Sequence, residues 1–116
     1  MRGLTIIVAS VDPARFHAAL SVAAANCALG HRSRIFLQGE AAVLCKDGGE
    51  KRVAPSGMPS LPELRDEAMA VGVELIVCQS GLAQVALSAE DLPEGVTTGG
   101  LVELLASRGD DQLMLA

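Results

Sequence analysis

Residues 4–9 form an unbroken apolar run rich in β-branched side chains, the pattern of a strand covered on both faces in a parallel sheet. Asp12 follows as a helix N-cap, with Pro13 in the first helical position, where its missing N–H costs nothing. Phe16, Leu20, Ala23, Ala24 and Cys27 then fall on one face of a helix that Gly30 stops. Residues 33–38 predict a second strand, and residues 40–44 a short helix begun at Gly39. Ser60 and Glu63 have capping-box spacing for a helix that turns Leu61, Leu64, Ala68 and Val71 inward and Glu63, Asp66 and Glu67 outward, with Gly72 closing it. Residues 73–78 predict a third strand and residues 81–87 a short helix that is apolar nearly all round. A second capping-box pair, Ser88 and Asp91, precedes a brief strand at 96–97, a helix over 99–107 and a last strand at 112–115. Strands alternating with helices predict an α/β fold, a three-layer α/β/α arrangement around a five-stranded, mainly parallel open sheet.

The pattern breaks once, between residues 46 and 59, where charged residues, Gly and Pro crowd together. That stretch predicts a flexible loop near the strand-end rim of a single domain spanning residues 1–116.

Composition narrows the functional classes. Nine Lys and Arg against 14 Asp and Glu give a net charge of −5, and the chain has no Trp or Tyr. Nucleic-acid binding needs a basic track and, for single strands, aromatic platforms, so nucleic acid is not an expected partner. The longest apolar stretch, residues 20–29, is interrupted by Ser21 and Asn26 and is too short to span a bilayer, so no membrane association is expected. The start of the chain reads as a strand and not as a secretion signal, since Asp12-Pro13 interrupts it. Three Cys, at 27, 45 and 78, are an odd number in a Cys-poor chain, which fits a reducing cytoplasm.

Common nucleotide, phosphate and metal motifs are absent, and His17 and His31 have no metal-ligand spacing. Thr98, Gly99 and Gly100 open a helix after a short strand, where free backbone N–H groups can hold an anion, or simply cap the helix and allow close packing. Cys78 ends the third strand, and in open α/β sheets ligands gather at the carboxyl ends of strands. A thiol at the following turn has its thiolate favoured by backbone N–H groups and helix dipole, with Gln79 or Ser80 able to donate a further hydrogen bond. The competing reading is a buried Cys that fills space. Asp12 would stand close to Cys78, and raise its pKa, if the first and third strands were neighbours. Cys27 reads as helix packing and Cys45 as incidental.

The opening strand, the long Ala-rich helix and the variable loop lead to Leu61-Pro62-Glu63-Leu64, then through Ala70-Val71-Gly72-Val73-Glu74 to the strand ending in Cys78. This arrangement resembles the DsrE/DsrF-like family, and the resemblance continues through Gly81-Leu82, Asp91-Leu92, Gly95-Val96, Gly99-Gly100-Leu101 and the closing segment 110–116. It implies a small cytoplasmic α/β/α protein that forms trimers or hexamers and carries sulfur as a persulfide on Cys78. It also implies a sulfur donor or acceptor protein as partner and no cofactor. The sequence departs from sulfur-relay members in lacking a second nearby Cys and the Arg-Gly that often follows the family cysteine; Gln79-Ser80-Gly81-Leu82 stands there. The alternative is a non-catalytic small-ligand-binding or oligomeric accessory module in which Cys78 only lines a pocket. In both readings the apolar helix at 81–87 is expected at a subunit interface.

Overall fold

The computed structural model describes residues 3–46 and 59–116. The loop expected at 46–59 lies, apart from Lys46 and Pro59, outside the described residues. Five strands, β1 (Leu4–Val8), β2 (Ser33–Leu37), β3 (Glu74–Cys78), β4 (Thr97–Gly99) and β5 (Gln112–Leu115), form one sheet in the order β4-β3-β2-β1-β5. Every pairing is parallel. Four helices connect them: α1 (Pro13–Ala28), α2 (Leu61–Ala70), α3 (Gln79–Gln84) and α4 (Leu101–Ala106); a 3-10 segment, Gly39–Cys45, follows β2.

The continuous apolar strands occupy the middle of the sheet, where burial on both faces requires them; all five residues of both β1 and β2 are buried. Helix α1 begins as its sequence dictates, with Asp12 Oδ1 accepting from Ala14 N at 3.0 Å and Pro13 behind it. Ser60 accepts from Glu63 N at the start of α2, and the Ser88–Asp91 capping box closes in both directions.

The chain path explains the layers. From β1 to β4 each crossover moves one strand over in the same direction, and right-handed crossovers then place their helices on one face. There Phe16, Leu20 and Ala23 of α1, Ala68 of α2 and Leu82 of α3 pack on Ile6, Val8, Ile35, Leu37, Leu75 and Val77. The step from β4 to β5 returns across the whole sheet, so α4 lies on the opposite face, its Leu104 against Ile7, Phe36, Ile76 and Cys78.

Several boundaries differ from expectation. Helix α3 starts at Gln79, two residues early, and stops by Val85, because Ala86 takes a left-handed conformation with φ 57°. Its Leu82 is buried in the first core, and Val85 and Leu87 lean on that core. The apolar face expected outward at 81–87 therefore points inward. β4 covers 97–99 and α4 begins at 101, with Gly100 as N-cap. Val71 caps α2 and is exposed, whereas Arg65 is buried beside Asp66, its Nη2 3.1 Å from Oδ1. Cys45, expected to be incidental, is fully buried in the first core.

At the amino ends of the strands lies a buried polar network that no local pattern announces. Arg34, 5% exposed, donates through Nε and Nη2 to Thr5 Oγ1, at 3.3 and 3.2 Å, and through Nη1 to Ser107 Oγ at 2.9 Å. Its Nη2 also reaches Leu104 O at 3.3 Å, so it binds the last turn of α4, where unsatisfied carbonyls collect. Asp111, immediately before β5, accepts from Thr5 Oγ1 at 3.1 Å and from Nε and Nη2 of Arg32. Arg34 Nε stands 3.9 Å from the same carboxylate oxygen.

Candidate functional site

The reversal of chain direction creates one special place at the carboxyl edge. After β3 the chain turns onto the first face through α3; after the adjacent β4 it turns onto the second face through α4. Neighbouring strands whose continuations part in this way leave a crevice between them, the position where open α/β sheets hold ligands. The pairing of Cys78 with Gly99 marks its floor. Of the residues singled out in the sequence, Cys78, Gln79, Ser80, Thr98, Gly99 and Gly100 come together on these two strand ends. Asp12 does not join them, because β2 stands between β1 and β3. Its carboxylate is turned to the first turn of α1, and the pKa-raising contact considered above has no structural basis.

Cys78 is the N-cap of α3, with extended backbone at φ −61° and ψ 123°, and is 4% exposed. Burial pushes its thiol pKa up and is the largest single influence. It is outweighed by a set of donors: the Ser80 hydroxyl, with Sγ···Oγ 3.1 Å, and the backbone N–H groups of Gly39, Gly81 and Ser80. The net result is a thiol held below its ordinary value. None of the α3 amides closes a full capping hydrogen bond to the side chain, so their effect is that of oriented dipoles at short range. A six-residue helix supplies little macrodipole, and the local donors replace the dipole the sequence pointed to. Gln79 is exposed and makes no bond to the sulfur.

Gly39 is the participant the sequence did not reveal. It sits at the end of β2 with φ +57°, a conformation glycine adopts without strain. Its carbonyl lies directly against Gly81, where a Cβ would collide with Gly39 O and come 3.0 Å from Gly39 C. Two glycines far apart in sequence thus allow two backbones to touch and bring a β2-end amide to a β3-end thiol.

On the face that α4 covers is a cavity of about 140 Å³ lined by Arg34, Glu74, Ile76, Thr97 and the 98–100 turn, with Glu103, Leu104 and Ser107 of the α4 side; Cys78, expected to line a pocket, is not among its lining residues. Glu74 and Glu103 place two carboxylates where the sequence suggested an anion site. Gly99 is buried for close approach, a Cβ there lying 3.1 Å from Glu103 Oε1 and 3.3 Å from Ile76 Cγ2. Among the described residues no group of three His, Cys, Asp or Glu is placed to hold a metal ion. No helix there is long and apolar enough to cross a membrane.

Fold and site together define an open parallel α/β domain with a cysteine thiol at the point where its crossovers change face. The chain belongs to the DsrE/DsrF-like family, whose sequence model matches residues 3–112. Two solved structures share its architecture over the full length of both chains: the ychN protein from E. coli, at 20% identity and a TM-score of 0.72, and MTH1491, a protein of unknown function from Methanobacterium thermoautotrophicum, at 14% identity and 0.79. At these identities the likeness is one of fold. No curated protein matches the chain by sequence.

Proposed function

We propose that this protein is a sulfur carrier of the sulfurtransferase type, with Cys78 as the carrying residue. The thiolate of Cys78 attacks the outer sulfur of a donor persulfide R–S–SH. A bond forms between Cys78 Sγ and that sulfur, the donor S–S bond breaks, and its electron pair leaves on R–S⁻ while the proton stays on the transferred sulfur. The exchange is redox-neutral, and attack by an acceptor thiolate on the Cys78 persulfide runs it in the other direction. The observation that carries this reading is the place of Cys78 at the sheet's switch point with Ser80 Oγ 3.1 Å from its sulfur, a surrounding that favours the thiolate needed both to attack and to leave. Membership of the DsrE/DsrF-like family supports it. Intact-mass and peptide mapping after exposure to a hydropersulfide should find one added sulfur atom on Cys78 and none in Cys78→Ser. Loading on Cys27 in preference, or no loading, would reject the reading.

The partners follow from the same proposal: a donor or acceptor protein bearing a thiol, and further copies of this chain. Self-association would use the side of the sheet that α4 covers incompletely. There Leu101, Val102 and Leu105 of α4 are exposed, as are Leu113 and Leu115 of β5, which share the face of Thr5 and Ile7. A trimer, or a pair of trimers, is the assembly proposed.

The cavity favours one second reading, a small-ligand-binding module. Its volume suits a molecule of a few heavy atoms, and its Glu74 and Glu103 side chains suit a group that donates hydrogen bonds. Calorimetry against small amines and amides, run with Cys78→Ser, separates the two: binding that persists without the thiol supports the module.

A further inference from the structure

We draw no further inference here: the strongest candidate, the cavity between β4 and α4 lined by Arg34, Glu74 and Glu103, belongs to the ligand-binding reading already described, its Arg34 guanidinium is satisfied within the chain by Thr5, Ser107 and Leu104, and nothing in the structure shows what its two exposed carboxylates would hold.

Discussion

A thiolate held by Ser80 Oγ and three backbone amides stabilises the folded chain more as pH rises. The folded pKa of Cys78 lies below the unfolded value of about 8.5, so its contribution is absent below the folded pKa, grows between the two values, and is complete above the unfolded one. Urea unfolding of wild type and Cys78→Ser should therefore diverge across that window, with wild type gaining at the alkaline end; parallel curves would mean that the thiol is not held as described. Ser80→Ala removes the one hydroxyl donor and leaves the backbone in place. Alkylation of Cys78 at neutral pH should slow about fivefold, with the pH profile moving to higher pH. Part of this site was legible along the sequence, because a strand-terminal Cys followed by Gln-Ser-Gly is a local pattern. The rest was not: the Gly39 amide reaches Cys78 only through the pairing of β2 with β3, and no spacing within either segment encodes that register.

The elements themselves followed closely from their caps and apolar runs. β5 matched residue for residue, β1 and α1 ended close to where Asp12-Pro13 and Gly30 put them, and β2 stopped one residue short of the expected 33–38. Helix α3 escaped because its stop is Ala86 in a left-handed conformation, where the usual signal is glycine, and because Gln79 and Ser80 are polar residues inside a helix expected to start with Gly81. Two substitutions test these elements. Asp12→Ala removes the cap of α1 and should cost about 1 kcal/mol in chemical denaturation. Gly81→Ala forces the 3-10 segment away from α3 and should cost about 1–3 kcal/mol, with Cys78 alkylating more slowly as the Gly39 amide withdraws. A stable Gly81→Ala protein with an unchanged alkylation profile would show that the two backbones do not need to touch.

For the whole molecule, the Arg34–Thr5–Asp111 network fastens α4 and β5 to the second face at the end opposite Cys78. Arg34 sits between Ser33 and the apolar run 35–37 of β2, and its partners lie 29 to 77 residues away in sequence, which is why the sequence showed no role for it. Asp111→Ala leaves a buried guanidinium without its nearby carboxylate and should lower stability by about 3–5 kcal/mol in urea titration. A loss below about 1 kcal/mol would mean that Arg34 is adequately solvated without it. The exposed residues of α4 and β5 carry the remaining test: light scattering should give a multiple of the 11.9 kDa chain, and Val102→Glu should shift it toward the single-chain mass.

The place of β5 beside β1 also bears on how the chain is made. Leu4 pairs with Gln112, so the two strands meet only when nearly all of the intervening chain has left the ribosome. During that interval β1 can pair with β2 on one side while its other edge, in the most apolar part of the sheet, stays open. An open apolar edge is a template for another nascent chain of the same kind. The window between emergence of β2 and arrival of β5 is therefore when this protein is most exposed to misassembly, and slow translation through residues 100–115 would lengthen it.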